Sequence, residues 1–359
     1  MNPKFIVSKL IINNSKLKIL VFRYRFLGDT ILTVPFLQRL REAYPNAHIS
    51  VLIAPQSGVL LQNCPYINEL IEFDTTRFHK YDSGKQAKQS LWENVLKLKK
   101  EEFDIAYILK RSFSSALLAF LAGIPERIGF DTEFRGFLLT KKIPFNLKQS
   151  EVINFLNHLL PPFNEQPDKT NKLFWATEQE KQKALSLINN LTKKTAETQN
   201  IIIHAPAAHP LKMWKIEYWA ELIKNLKLKY NHNIIFSGST ADADYYDELQ
   251  SLAGIKPDLN LCLTNNTLRE NIAFYELCDF IICVDSGPVH LAAAVNLKGL
   301  AIFGPTDPIR WQPWSDNIKI IQAPINLACR PCNLKPTCQN IECLSELKPD
   351  FVLDNFLQF

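Results

Sequence analysis

The sequence predicts an α/β protein built from two doubly wound, Rossmann-like domains. Short apolar runs of strand length alternate with helix-period segments over almost the whole chain. A polar, Pro-rich stretch interrupts that alternation near the middle, after which it restarts. The length of 359 residues also exceeds what one core of ordinary size holds.

In the first half, residues 17–22 (LKILVF), 49–53 (ISVLI), 69–73 (ELIEF) and 105–109 (IAYIL) have the length and composition of buried strands. Helices are expected between them over residues 30–44, 86–100 and 112–122. In the first of these, Ile31, Val34, Leu37 and Leu40 recur at helical spacing. Residues 161–172 (PPFNEQPDKTNK) form the best linker. Beyond it, strands are expected at 200–205, 233–237, 280–284 and 299–303, and helices at 217–229, 244–252 and 268–277. The predicted organisation is a first domain over 1–165, a linker at 166–175, a second domain over 176–328, and a Cys-rich tail with a final helix over 329–359. Two such units would face each other across a cleft at the carboxyl ends of their sheets. No sequence repeat relates the halves.

Apolar residues make up 47% and charged residues 21% of the chain, the profile of a globular rather than a disordered protein. No apolar run reaches the roughly 18 residues of a membrane span, and the first twenty residues lack the small-residue cleavage site of a signal peptide. The chain is therefore expected in the cytoplasm. The net charge of +5 is spread over short groups such as Lys97–Lys100, Lys141–Lys142 and Lys193–Lys194, without a basic stripe bearing interleaved aromatics. Nucleic acid is not an expected partner. An anionic membrane surface or acceptor remains compatible with these charges.

Eight cysteines divide into two groups. Cys64, Cys262, Cys278 and Cys283 sit among apolar residues and read as small core side chains. Cys329, Cys332, Cys338 and Cys343 form C-x2-C-x5-C-x4-C, which admits reduced thiols in a packed loop, a redox pair or a structural metal site, although it matches no common zinc spacing.

Five segments carry the chemistry. Gly28 and Asp29 lie where the first strand hands over to a helix; Asp29 reads as an N-cap or as a carboxylate presented to a ligand. In CVDSGPVHLAAA, a strand ends at Asp285, the small-residue turn Ser286-Gly287-Pro288 follows, and His290 begins an Ala-rich helix. Backbone N–H groups at such a helix start suit a diphosphate. Phe303-Gly304-Pro305-Thr306 ends the next strand, and Ser237-Gly238 adds a hydroxyl turn beyond another. Lys212, close after the strand ending near His204, reads as a solvated lysine or as a point charge for a phosphate.

These blocks together, Gly28-Asp29 with Pro35 and Leu37 ahead of YPNAHISVL, Lys212 with Trp214, DSGPVHLAAA, and FGPT, resemble the ADP-heptose:lipopolysaccharide heptosyltransferase family of bacterial glycosyltransferases. The likeness runs from about Leu17 to the C-terminus, and its Cys-rich tail is similar to those of many members. The resemblance implies a GT-B architecture, with the acceptor held by the first domain and the nucleotide-sugar by the second. It also implies inverting transfer without a metal or other cofactor. By motif position, Asp29 is the expected general base and Lys212 the donor-phosphate contact. Gly28 belongs to the acceptor-side turn. Asp285, Ser286, Gly287 and His290 form the donor turn, with Ser237 and Gly238 on its rim and Thr267 near the nucleoside. The loop Pro206-Ala207-Ala208, followed by His209 and Pro210, departs from the Gly-containing loop of many relatives.

The function expected is transfer of heptose from ADP-heptose to a lipid-linked glycan such as lipopolysaccharide core. Any membrane association would be peripheral, at the cytoplasmic face of the inner membrane. The alternatives are a transferase of the same fold with another nucleotide-sugar or a protein acceptor, and a non-catalytic binding protein. An NAD-dependent dehydrogenase is disfavoured, since no strand is followed by G-x-G-x-x-G with an acidic residue about twenty positions on.

Overall fold

The computed structural model describes residues 17–23, 26–73, 90–159, 167–191, 197–334, 338 and 340–359. Residues 161–166 of the expected linker, residues 86–89 of the expected second helix and the pair Lys193–Lys194 lie outside this set. The chain divides into two compact units, Met1–Asp168 and Lys169–Phe359.

The first unit is a six-stranded parallel sheet. Its strands are β1 (Lys18–Phe22), β2 (His48–Ile53), β3 (Glu69–Glu72), β4 (Ile105–Ile108), β5 (Glu126–Phe130) and β6 (Lys141–Ile143), in the order β3-β2-β1-β4-β5-β6. β1 is central: Ile19 pairs with Ile49 on one side and with Ile105 on the other. Its residues Ile19 to Phe22 are fully buried, which explains a continuous apolar run rather than an alternating one. β5 and β6 escape a hydrophobicity reading because they begin on charged residues and carry Gly129 and two lysines. They form by adding to an existing edge.

The helix expected over 30–44 is two helices, Leu27–Ile31 and Val34–Ala43. Pro35 is the reason. It has no N–H to offer the Ile31 carbonyl, so the ladder breaks and restarts with proline in the first turn.

The second unit repeats the arrangement with β7 (Asn200–His204), β8 (Asn233–Phe236), β9 (Leu259–Asn260), β10 (Phe280–Val284), β11 (Lys298–Ile302) and β12 (Ile318–Ile321), all parallel, in the order β12-β11-β10-β7-β8-β9. Renumbered from its own first strand, this is the order of the first sheet, the doubly wound order in which the strand sequence reverses between the first and fourth strands. The reversal falls between β1 and β4 in one unit and between β7 and β10 in the other. Close approach of β10 and β11 depends on Gly299, where a Cβ would fall 2.5 Å from the Ile281 carbonyl oxygen.

The Cys-rich tail is packed structure. Its last helix, Pro349–Leu357, puts Val352, Leu353 and Phe356 into the core of the second unit with Trp214, Trp219 and Leu222. Leu344 lies against Gly304, where a Cβ would come within 2.7 Å of it. Among the described residues no helix is long and apolar enough to cross a membrane.

Candidate active site

In the first unit, Asp29 follows β1 at the reversal point of the sheet. It is the third residue of the helix Leu27–Ile31, not its N-cap; that position is held by Phe26, at a φ of 68°. The N-cap reading of Asp29 is therefore replaced. The helix starts three residues earlier than expected because the Phe26 carbonyl accepts from both the Thr30 N–H and the Thr30 hydroxyl, at 3.0 Å each. Gly28, the second helical residue, is buried. The Asp29 carboxylate turns to Arg23, whose Nη2 stands 3.0 Å from Oδ1. Arg23 is the residue immediately after β1, its own N–H donating to the Leu52 carbonyl at 3.0 Å.

In the second unit, Lys212 ends the short turn Pro210–Lys212 beyond β7 and reaches Asp285, the first residue after β10. Its Nζ is 2.8 Å from Asp285 Oδ2 and 3.2 Å from the Asp285 carbonyl oxygen. The two side chains thus meet where the order of this sheet reverses. The Thr306 hydroxyl, from the turn after β11, donates to the same Oδ2. The Asp285 carboxylate is nearly buried and occupied twice. It orients Lys212, a role the motif reading of a donor contact did not include. His209, which the sequence left unassigned, organises the turn before Lys212: its Nδ1 accepts from the Leu211 N–H at 3.2 Å.

The donor turn continues through Ser286, whose hydroxyl donates to the Val284 carbonyl at 3.2 Å, into the helix Gly287–Ala294. His290 is buried on the inner side of that helix. Burial pushes its pKa down to about 4, with Lys212 adding to the fall and Asp285 opposing it. The imidazole is neutral near pH 7. Its Nδ1 makes no hydrogen bond with the described residues.

The rim residues divide. Ser237 is buried at the end of β8 and shares a short hydroxyl contact with Tyr275, while its carbonyl accepts from the Tyr246 hydroxyl at 2.6 Å. At Gly238 a Cβ would come within 2.9 Å of Asp242 Oδ2 and Cys262 Sγ, so the turn admits no larger residue without a shift. Thr267 is exposed and caps the helix Leu268–Tyr275 reciprocally with Glu270. Trp214 is a core residue: 1% exposed, edge-on to Trp219 at 5.0 Å, with Nε1 donating to the Leu347 carbonyl at 2.8 Å. The sequence alone does not mark Arg23 or Thr306 as site residues. Thr306 sits inside the quoted FGPT block, whereas Arg23 had no signal beyond a charge directly after an apolar strand.

The four tail cysteines line one cavity of about 270 Å³ with Pro305 and Arg330. Cys343 is buried there, and burial together with the neighbouring thiols pushes its pKa up to about 11. The segment is tied to the FGPT turn: the Cys332 and Asn333 N–H groups both donate to the Pro305 carbonyl, at 3.0 and 2.9 Å. Among the described residues no group of three or more His, Cys, Asp or Glu side chains is arranged to hold a metal ion.

This architecture recurs in known proteins. The chain is 28% identical to lipooligosaccharide heptosyltransferase 2 of Campylobacter jejuni over 351 residues, covering 94% of this chain and 97% of that protein. It is 27% identical to lipopolysaccharide heptosyltransferase 2 of Escherichia coli K12 over 319 residues, or 85% and 88% of the two chains. The solved structure of E. coli ADP-heptose LPS heptosyltransferase II superposes with a TM-score of 0.72 at 24% identity, over 95% of this chain and 98% of that one. A family 9 glycosyl transferase from Veillonella parvula superposes with a TM-score of 0.80 at 20% identity, over 95% and 96%. These structures establish the fold, the GT-B fold expected from the sequence. The family model for glycosyltransferase family 9 (heptosyltransferase) matches residues 92–341, well over half of the chain. The chain belongs to glycosyltransferase family 9, the heptosyltransferases.

Proposed function

We propose that this glycosyltransferase moves heptose from ADP-heptose to a lipopolysaccharide-core acceptor, with inversion at the anomeric carbon and Asp29 as general base. The names of its relatives, lipopolysaccharide and lipooligosaccharide heptosyltransferase 2, support the donor and acceptor class. The observation that carries the mechanism is the Lys212–Asp285 pair at the reversal point of the second sheet, in a chain of this family.

In this reading the acceptor hydroxyl oxygen attacks the anomeric carbon from the face opposite the diphosphate. Its proton passes to the Asp29 carboxylate, the bond from the anomeric carbon to the diphosphate oxygen breaks, and the electron pair leaves with ADP. The charge that develops on ADP is met by the Lys212 ammonium and by N–H groups at the start of the helix Gly287–Ala294. Ser286 and Gly287 shape that turn, and neutral His290 packs beneath it. Gly238 leaves room at the rim, while buried Ser237 and capping Thr267 hold neighbouring segments in place. The linker assigned to 166–175 would then divide an acceptor domain from a donor domain. The enzyme would work in the cytoplasm, meeting its lipid-linked acceptor at the inner membrane as a peripheral protein.

Calorimetry with ADP, UDP, GDP and NAD, without added metal, tests the donor assignment. Preference for ADP, followed by transfer from ADP-heptose to truncated lipopolysaccharide, supports it. Preference for another nucleotide moves the enzyme to a different donor, and absence of nucleotide binding refutes the donor site.

A further inference from the structure

We infer that Arg23 is a positioning residue for the transfer reaction: it fixes the Asp29 carboxylate for proton abstraction. The inference rests on the reading of Asp29 as base. Arg23 is 8% exposed, an uncommon site for a guanidinium. One of its edges engages Asp29 twice, Nη2 to Oδ1 at 3.0 Å and Nε to the Asp29 carbonyl at 3.3 Å. Its plane lies over the Phe155 ring, 4.8 Å from the centroid. Both side chain and backbone of Asp29 are thus referred to one planar group held between an aromatic ring and the helix Leu27–Ile31.

The surrounding backbone is committed to the same geometry. Phe26 holds a φ of 68°, a conformation that bulky residues rarely adopt, and the Thr33 hydroxyl donates to the Asp29 carbonyl at 2.9 Å. Two segments packed on this helix, Pro55–Gly58 and Val59–Leu61, bear no titratable side chain. Glu151, on the helix that carries Phe155, is turned to Arg111 at 3.7 Å. Arg23 is a charged group that these contacts aim at the carboxylate.

The chemical consequence has two sides. A guanidinium at 3.0 Å gives the carboxylate a charge-assisted partner beside the place where the acceptor proton is taken, and its removal takes that charge away. It also fixes the carboxylate direction, on which proton abstraction depends.

The test is the pH dependence of kcat for Arg23→Met, Arg23→Lys and Asp29→Asn, with ADP affinity and thermal midpoint measured on each. Arg23→Met is expected to lose about 10–100-fold in kcat, and its acid limb should move to higher pH. ADP affinity should not change. Arg23→Lys should leave the acid limb near its parental position, because the charge remains, and still lose turnover, because the fork does not. An unmoved acid limb in Arg23→Met, or parental kcat in Arg23→Lys, overturns the inference. If Arg23→Met fails to fold, Arg23→Lys decides alone: lower kcat at parental ADP affinity supports the role, and parental kcat removes it. An inactive Asp29→Asn beside an unmoved limb refutes Arg23 only, whereas an active Asp29→Asn refutes the base and the inference together.

Discussion

Lys212 and Asp285 come from segments 73 residues apart and meet with Nζ 2.8 Å from Oδ2. They lie at the reversal point of the second sheet, just past the carboxyl ends of adjacent strands β7 and β10. Only the strand order makes this pairing possible, and it is the place where open α/β sheets bind ligands. Thr306 adds a third contribution from β11, the next strand across. The lysine is held by Asp285, which Thr306 fixes in turn, and neither side chain need touch the donor.

Lys212→Ala should weaken ADP binding by about 10–100-fold, the equivalent of one charge-assisted hydrogen bond, and should lower turnover as well. Asp285→Asn should weaken ADP binding less, because the ammonium remains while its orientation is lost. Calorimetry on both variants checks this. Unchanged ADP affinity in Lys212→Ala would exclude the lysine from the donor site.

Asp29→Asn should lower kcat by about two to four orders of magnitude and leave ADP affinity and the thermal midpoint close to parental. Steady-state kinetics with a truncated acceptor, paired with calorimetry, separates the two effects. Near-parental turnover would remove the base role.

Stability should rise with pH between about 4 and 6.5 on account of three buried histidines. His158 is driven down to about 3, and His204 and His290 to about 4, in each case chiefly by burial. Their folded values lie below the unfolded value of about 6.5, so in that window the unfolded chain binds more protons. The stabilisation is complete above the unfolded value and is lost as pH falls toward the folded ones, at up to about 1.4 kcal/mol per pH unit for each histidine. His158 stands edge-on to Phe130 at 4.3 Å. His158→Phe should therefore keep the packing and flatten the slope. Urea midpoints at pH 5 and pH 7 for parent and variant measure it, and equal slopes would contradict the assignment.

Trp214 links the turn that carries Lys212 to the C-terminal tail through its bond to the Leu347 carbonyl. Trp214→Phe should cost about 1 kcal/mol for the lost hydrogen bond plus a packing term, and Trp214→Ala about 3–5 kcal/mol. Urea unfolding gives both values. A Trp214→Ala variant as stable as the parent would show that the tail needs no such anchor.

The sequence by itself determined the class of fold and the location of most strands. Buried parallel strands must be continuous apolar runs, so 280–284 and its counterparts stand out within a residue or two of β10, β7, β8 and β11. The small-residue turn after β10 was equally legible, because a sharp strand-to-helix turn restricts which residues fit. The polar or very short strands β5, β6, β9 and β12 were not legible: ERIGF, KKI, LN and IKII acquire strand structure from the neighbour they pair with. Nor did the sequence show that both halves share one strand order, since many different apolar residues satisfy the same pairing. The partners of the key charges were decided by the three-dimensional structure. Thr306 on Asp285 is a contact created by strand order, and Arg23 on Asp29, six residues apart, by the fold of the turn between β1 and the next helix. A local pattern encodes burial and turn geometry, and the identity of a distant partner is decided only when the sheet brings the two segments side by side.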